Sequence, residues 1–406
     1  FAQAAQQGDA DAQWQLGKMF ASGQCVPQDN QQAVPWFTKA AEQGHAVAQR
    51  SLGWLCLVGK GVPQDNEQAA YWFAQAAQQG DADAQWQLGK MFANGRGVPQ
   101  DNQRAVRWYS KSAEQAGADK QWQLGEMFSA GQGVPQDKQQ ALHWYSKSAE
   151  QANADKQWLL GEMLSAGQGV PQDKQQAAHW YSESAEQANA DKQWQLGEMF
   201  SAGQSVPQDY EQAVHWYTKA AKRAGADKQW QLGEMFSAGE GVPHDNQQAS
   251  HWYSKSAERA DADKQWQLGE MFSAGEGVPQ DKQQAAHWYS KSAEQANADK
   301  QWQLGKMFAS GRGVPQDNQQ AAYWFTKVAQ QGNKEAQFRL GLMYANGHGV
   351  EADYKTAIKL FNQAAQQGHA EAEDRSSELI KKLEVERLER EKREREKLEG
   401  LRRSHF

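Results

Sequence analysis

The 406-residue sequence lacks the features that mark several common classes of protein. Its only cysteines, Cys25 and Cys56, cannot form a disulfide framework and allow at most one bridge. No apolar run approaches the length of a membrane span. The net charge is only −7, with acids and bases interspersed, so the basic stripe that phosphate binding needs is absent. We expect neither a membrane span nor a nucleic-acid partner, and the sequence assigns no compartment.

A period of 36 residues organises the chain. A Leu-Gly pair recurs ten times without insertion or deletion, and an aspartate follows twelve residues after each glycine, from Asp29 to Asp353. A fixed period of this length predicts stacked supersecondary units, each of which buries its apolar face against its neighbours. The glycines that fix the period are Gly17, Gly53, Gly89, Gly125, Gly161, Gly197, Gly233, Gly269, Gly305 and Gly341.

Each repeat is predicted to form two helices, as residues 118–153 illustrate. Trp122 and the apolar residues that follow it gather on one side of a first helix. Gly125 lies in the middle of that helix, where it costs about 1 kcal/mol relative to alanine, so its recurrence indicates a close crossing by a neighbouring helix. After a glycine-rich turn, Asp137 is expected to cap the second helix in a capping box with Gln140.

The second helix ends with different residues in the outer and the central repeats. In the outer repeats a glycine stands at this end, as at Gly44, Gly80 and Gly332. In the central repeats that position is alanine and the next residue is Gly, Asn or Asp. Because these residue types tolerate the left-handed conformation, we predict that they end the helix in the same way. They are Gly117, Asn153, Asn189, Gly225, Asp261 and Asn297.

Both ends of the chain depart from the repeat. Residues 1–8 match residues 73–80, which predicts that they are the remnant of a preceding repeat with Phe1 inside a helix. Residues 9–368 are expected to form the ten-repeat solenoid, and residues 369–406 a capping helix that continues into a charged Glu-, Arg- and Lys-rich helix. The alternative for this last segment is coiled-coil pairing, although no heptad is sustained. The leucines concerned are Leu379, Leu383, Leu388 and Leu398.

The repeat pattern resembles that of the Sel1-like repeat family over residues 1–376. The third repeat carries the match at Ala84, Leu88, Gly89, Gly95, Gly97, Val98, Asp101, Ala105, Trp108 and Tyr109. The resemblance implies an all-α, right-handed α-solenoid of about ten helix-turn-helix repeats, related to tetratricopeptide arrays. It also implies a non-enzymatic, bacterial type of scaffold or adaptor, which binds a protein or peptide partner through the concave surface of the solenoid.

The first helices of repeats four to nine are nearly identical in sequence, so they define a candidate ligand groove. The resemblance places first helices on the concave surface, where their side chains would form ladders. In these repeats lysine replaces the alanine seen at Ala48 and Ala84, and tryptophan replaces the family's tyrosine, whereas the second repeat has Arg50 and the tenth Phe338. The candidate residues are Lys120, Trp122, Gln123, Glu126, Lys156, Trp158, Glu162, Lys192, Trp194, Gln195, Glu198, Lys228, Trp230, Gln231, Glu234, Lys264, Trp266, Gln267, Glu270, Lys300, Trp302 and Gln303.

The tryptophans of this groove have two interpretations that the sequence leaves open. Their faces contact a ligand, or they fill the space between hairpins. Exposed tryptophan flanked by amides and acids would indicate an extended polysaccharide or envelope polymer, whereas buried tryptophan beneath exposed Lys and Gln would indicate a peptide. A purely architectural component of a larger assembly would bind through neither the tryptophan faces nor the Lys and Gln side chains. It would contact its neighbours only along its edges and ends.

Two sets of ionisable residues also recur at the repeat spacing. Equivalent positions in stacked hairpins lie roughly 10 Å apart, whereas zinc ligands stand about 2.1 Å from one ion. This spacing also argues against a carboxylate pair for acid–base catalysis. We therefore expect no metal, no cofactor and no enzymatic activity, and a solvent-facing structural role for the histidines. The two sets are His143, His179, His215, His251, His287 and Glu126, Glu162, Glu198, Glu234, Glu270.

Overall fold

The computed structural model describes residues 2–403, with side chains to residue 398. Over that range it contains 22 α-helices and no strand, which confirms the all-α repeat solenoid. The chain forms two compact units, one that ends at Gln212 and one that starts at Ala213. Among the described helices, none is long and apolar enough to cross a membrane. Phe1, for which the sequence predicts a helical position, lies outside the described residues.

The helices pair into consecutive hairpins, with one hairpin in each repeat. The helices that end before residue 203 are α1 (Ala2–Gln6), α2 (Ala10–Ser22), α3 (Asn30–Glu42), α4 (Ala46–Val58), α5 (Asn66–Gln78), α6 (Ala82–Asn94), α7 (Asn102–Ala116), α8 (Ala118–Ala130), α9 (Lys138–Gln151), α10 (Ala154–Ala166), α11 (Lys174–Gln187) and α12 (Ala190–Ala202). Those that follow are α13 (Tyr210–Arg223), α14 (Ala226–Ala238), α15 (Asn246–Ala257), α16 (Ala262–Ala274), α17 (Lys282–Gln295), α18 (Ala298–Ser310), α19 (Asn318–Gln330), α20 (Lys334–Asn346), α21 (Tyr354–Gln366) and α22 (Ala372–Arg403).

The mid-helix glycine leaves room for an aromatic ring from the second helix of the same repeat. A Cβ atom at Gly125 would lie 2.7 Å from Cδ1 of Tyr145, and one at Gly341 would lie 2.8 Å from Cδ1 of Phe361. Tyr145 and Phe361 are both buried. The predicted close approach is therefore confirmed, and the group that approaches is a ring rather than a backbone.

An aspartate begins the second helix of every repeat, as predicted. The Asp137 carboxylate accepts hydrogen bonds from the backbone N–H groups of Gln139 at 2.9 Å and Gln140 at 3.0 Å. The backbone N–H of Asp137 donates instead to the carbonyl of Phe128 at 2.9 Å. Only one half of the predicted capping box therefore forms, because a carbonyl of α8 supplies the other acceptor.

The junctions between central repeats correct the prediction of left-handed helix ends. Asn153 has φ −75° and ψ 170°, and its side chain accepts a hydrogen bond from the Lys156 N–H at 3.3 Å, so it caps the start of α10. Extended backbone also occurs at Asn189, Gly225, Asp261 and Asn297. Only Gly117 has a positive φ, of 81°, and its ψ of −177° differs from that of a left-handed helix end. The prediction is therefore wrong, and at the four positions that are Asn or Asp the side chain directly before the helix instead satisfies a free N–H of its first turn.

The outer junctions follow the prediction. Gly44 and Gly80 have φ values of 87° and 95°. The residue after each of them, His45 or Asp81, then caps the next helix by accepting a backbone N–H. In the outer junction, one residue thus ends the first helix and the next residue caps the second. At four central junctions, a single Asn or Asp caps the second helix.

The last helix, α22, begins against the tenth repeat. Leu379 packs on a buried cluster that includes Phe338 and Phe361. The Ser376 hydroxyl donates a hydrogen bond to Asn362 Oδ1 at 2.6 Å. Further along the same helix Leu388 is exposed. The domain boundaries at residues 8 and 368, and the choice between capping and coiled-coil pairing, stay predictions.

Candidate functional site

The tryptophans of the central first helices belong to the core. Trp158, Trp194 and Trp230 expose 6%, 4% and 6% of their surface. The Trp158 ring packs against Tyr181 of its own hairpin with ring centroids 4.7 Å apart. Half-buried tryptophans occupy the equivalent positions Trp122, Trp266 and Trp302. The ring therefore fills the space between the two helices of a repeat.

A lysine from the following repeat covers the tryptophan. The Lys192 ammonium lies 4.0 Å from the centroid of the Trp158 ring, a cation–π contact. Burial is the main reason that the pKa of Lys120 is lowered. The equivalent contacts are Lys120 on Trp86, Lys156 on Trp122, Lys264 on Trp230 and Lys300 on Trp266. These lysines thus cover rings and join neighbouring repeats.

Three of these lysines also bind carboxylates of the preceding repeat. Lys156 Nζ lies 2.6 Å from Asp119 Oδ1, and the hydrogen bond from this lysine lowers the pKa of Asp119. Lys264 pairs with Asp227 at 3.4 Å. Lys300 and Asp263 form the same pair. The positive charge of three of the six groove lysines is therefore offset within the fold.

In repeats five to eight, the indole of the first-helix tryptophan positions the glutamate four residues later. Trp158 Nε1 donates to Glu162 Oε1 at 3.1 Å, and Trp230 Nε1 donates to Glu234 Oε1 at 2.9 Å. These glutamates are nevertheless exposed, which leaves acceptor capacity for a partner. The same bond occurs in the pairs Trp194 with Glu198 and Trp266 with Glu270.

Amide and carboxylate groups form the exposed part of the candidate groove, which we call the polar ladder. All of these side chains are exposed, and their chemistry repeats from one first helix to the next within each unit. The fifth repeat has Leu159, which is 43% exposed, in place of the glutamine. Because its ionisable members are five glutamates, the ladder carries net negative charge. The polar ladder consists of Gln123, Glu126, Glu162, Gln195, Glu198, Gln231, Glu234, Gln267, Glu270 and Gln303.

The recurrent histidines lie on the second helices. The His251 ring meets the Trp252 ring edge-on with centroids 5.2 Å apart, and burial is the main reason that its pKa is lowered. The other four histidines are likewise exposed and edge-on to the next tryptophan. Across the described residues no group of His, Cys, Asp and Glu is arranged to hold a metal ion. Cys25 and Cys56 are both free.

A cavity of about 660 Å³, lined by the first three repeats and by Lys120 of the fourth, was not predicted from the sequence. Its lining includes Trp14, Arg50, Trp54 and Lys120. The signal for it is the second repeat, which has Arg50 where eight repeats have tryptophan and Trp54 where the central repeats have glutamate. Sequence reasoning noted the first of these departures but did not connect it with an opening.

Comparison with known proteins finds the Sel1 repeat along almost the whole chain. A crystal structure of c5321, a protective antigen of uropathogenic Escherichia coli with an SLR fold, is 34% identical; the match covers 96% of this chain and 91% of that one, with a TM-score of 0.40. A Sel1 repeat protein from Oxalobacter formigenes is 32% identical, with 82% and 93% covered and a TM-score of 0.34. No curated protein matches the chain. The repeats lie at residues 10–45, 46–81, 82–116, 121–153, 157–189, 193–224, 229–261, 265–297, 301–333 and 334–369.

Proposed function

Because the chain belongs to the Sel1 repeat family, whose solenoids are commonly protein-interaction scaffolds, we propose that it is a non-enzymatic scaffold that binds a protein partner through its first helices. The observation that carries the proposal is the polar ladder, which lies exposed beside a buried layer of tryptophan. The proposal is supported by the resemblance to the family, which implies that these helices line the concave side of the solenoid. A scaffold of this kind holds an extended segment, because periodic groups match the periodic backbone of a peptide.

The covered tryptophans favour a peptide over a polysaccharide. Sugar rings bind by stacking on open aromatic faces, whereas Trp158 and Trp194 are almost wholly buried. What the fourth, sixth, seventh and eighth repeats offer to solvent is an amide and a carboxylate. These groups accept and donate hydrogen bonds along a backbone, and a purely architectural role has no need of them.

The charge of the polar ladder favours a peptide with basic side chains. Glu162 and Glu234 each accept an indole N–H and keep further acceptor positions for a partner. Acidic side chains in fixed positions attract Lys and Arg and raise the rate of encounter. We therefore propose a partner segment that is extended, polar and basic.

The proposal is tested by incubating the full chain with a peptide array and a glycan array, and then measuring affinity for the strongest ligands. We expect basic peptides to be selected. Replacing four ladder glutamates by glutamine keeps the acceptor for the indole and removes the charge. We expect this variant to bind roughly tenfold more weakly. The four changes are Glu162→Gln, Glu198→Gln, Glu234→Gln and Glu270→Gln.

A matched control removes four exposed glutamates from second helices. The control changes are Glu114→Gln, Glu150→Gln, Glu183→Gln and Glu294→Gln. It alters the net charge equally, so the proposal expects binding as in the unchanged chain. Equal weakening in both variants, or selection of glycans rather than peptides, would refute the proposal.

A further inference from the structure

The cavity is lined by the first three repeats and by Lys120 of α8, just before the polar ladder begins at Gln123. It has a volume of about 660 Å³ and lies along the first helices α2, α4 and α6. Its lining contains four cationic side chains and the single carboxylate of Asp83. We call it the N-terminal pocket. Its charge is therefore opposite to that of the polar ladder.

The pocket exists because Arg50 stands in place of the ring that fills the equivalent space elsewhere. In the next repeat that space holds Trp86, which packs against Tyr109 with centroids 4.8 Å apart. In the second repeat Phe73 occupies the position of Tyr109 and lines the pocket. The missing ring therefore leaves an opening rather than a repacked core.

Two carboxylates of the third repeat hold Arg50 in place. Arg50 Nη1 lies 3.2 Å from Asp81 Oδ1 and 2.7 Å from Asp83 Oδ2. Asp81 is fixed in turn because it caps α6 through the Ala84 N–H at 2.8 Å. The charge of Arg50 is thus offset, and its side chain forms part of the wall.

Two tryptophans give the pocket aromatic walls. Trp54 follows the mid-helix glycine, at the position of the ladder glutamates, and is 43% exposed. Trp14 stacks on His45 with ring centroids 5.3 Å apart and is half-buried. Exposed aromatic surface beside an open cavity gains free energy when an apolar side chain covers it.

Three lysines of the pocket have no carboxylate within ion-pair distance among the described side chains. They lie over tryptophan rings, with Lys18 at 5.4 Å from Trp14 and Lys60 at 5.3 Å from Trp54. The third is Lys120, whose pKa burial lowers. Carboxylates of a bound ligand would give all three lysines an ion-pair partner. Ammonium groups near a low-dielectric wall are stabilised by an opposite charge.

We propose that the N-terminal pocket binds an acidic peptide segment, with an aromatic or large aliphatic side chain between Trp14 and Trp54 and carboxylates on Lys18, Lys60 and Lys120. The cavity is of the size that takes a few side chains. Three lysines around one cavity do not form the continuous stripe that a nucleic acid backbone would follow. This site is separate from the polar ladder, and its acidic ligand is opposite in charge to the basic peptide proposed for the ladder.

The test is fluorescence anisotropy of the full chain with a short fluorescein-labelled peptide in which Glu alternates with Phe. We expect Lys18→Glu and Lys60→Glu each to weaken binding about tenfold. Lys306→Glu is the matched control, because Lys306 also follows a mid-helix glycine and lies 5.4 Å from the Trp302 ring. We expect the control to bind like the unchanged chain.

A second variant, Arg50→Trp, fills the pocket with the residue that the chain itself uses in eight repeats. We expect it to retain its thermal unfolding transition and to lose the acidic peptide. Two results with the variants would overturn the proposal: equal loss of binding in Lys18→Glu and Lys306→Glu, or unchanged binding by Arg50→Trp. Two results with other ligands would also overturn it: displacement of the peptide by an oligonucleotide, or equal affinity for a peptide with Lys in place of Glu. Because the array peptides for the polar ladder are basic, failure here leaves that result standing.

Discussion

Gly161 is a residue at which alanine, the best helix former, should destabilise the protein. A Cβ atom there would lie 2.8 Å from Cδ1 and Cε1 of the buried Tyr181 ring. Overpacking of this kind costs about 1–3 kcal/mol, against about 1 kcal/mol gained in helix propensity. We expect Gly161→Ala to lower the free energy of unfolding by about 1 kcal/mol, measured by urea denaturation.

The control for this prediction is Gly225, which has no atom within 4 Å of an added Cβ and has φ −77°. It caps α14 without a side-chain acceptor. We expect Gly225→Asn to raise the free energy of unfolding by a few tenths of a kcal/mol. If Gly161→Ala proved as stable as the unchanged protein, the ring contact would not explain the recurrent glycine.

The buried tyrosines predict a loss of stability at high pH. Burial raises the pKa of Tyr109 to about 12, above the value of about 10 in an unfolded chain. Below pH 10 both states hold the proton and the contribution to stability is complete. As pH rises from about 10 to about 12 the unfolded state loses the proton first, so stability falls. We expect helicity and phenolate absorbance to change together in this range.

Tyr109→Phe provides the control, because Phe37 and Phe325 fill the same position in outer repeats. The variant should keep its stability at neutral pH and lose less of it above pH 10. Tyr145 and Tyr289, whose pKa values burial also raises to about 12, should account for part of the remaining loss. Phenolate formation near pH 10 without loss of helicity would contradict this account.

At the scale of the helix, the aspartate cap is the feature to test. The Asp173 carboxylate accepts N–H groups from Gln175 at 2.9 Å and Gln176 at 3.0 Å, and these bonds lower its pKa, that from Gln176 most. We expect Asp173→Ala to lower the free energy of unfolding by about 1 kcal/mol, as urea denaturation would measure. Asp173→Asn retains an acceptor and should lose far less. Equal losses would mean that charge rather than the hydrogen bond holds α11.

The sequence predicted the helix starts better than the helix ends, for a physical reason. An aspartate cap is local, because the acceptor and the N–H groups it binds are three residues apart or fewer. The role of Asn153 is harder to predict, because the same residue type fits both a left-handed helix end and an N-cap. The choice depends on where the next helix begins, which the packing of neighbouring repeats decides.

The contacts within the candidate site lie beyond what periodicity can predict. The sequence identified Lys192, Trp158 and Glu162 as one set of residues but not that the lysine covers the ring of the preceding repeat. The pocket around Arg50 was missed for a related reason. A missing ring creates a cavity only if neighbours fail to fill its volume, and that depends on the tertiary packing.

At the scale of the whole molecule, nearly identical repeats predict that one can be removed. In a solenoid each repeat contacts its neighbours only, so stability is approximately a sum of repeat and interface contributions. We expect deletion of residues 154–189 to leave a helical, cooperatively unfolding chain whose denaturant m-value falls by about a tenth. Circular dichroism during urea denaturation measures both quantities. Complete loss of helicity would contradict the additive description.

The central claim is that the exposed face of the first helices binds a partner peptide. It is tested most directly by titrating the strongest array peptide into two fourfold variants that differ only in the helices they alter. One carries Gln→Arg at Gln123, Gln195, Gln231 and Gln267, and the other at the exposed second-helix residues Gln139, Gln175, Gln247 and Gln283. We predict at least about tenfold weaker binding by the first variant and unchanged binding by the second. Unchanged binding by the first variant, or equal loss in both, would contradict the claim.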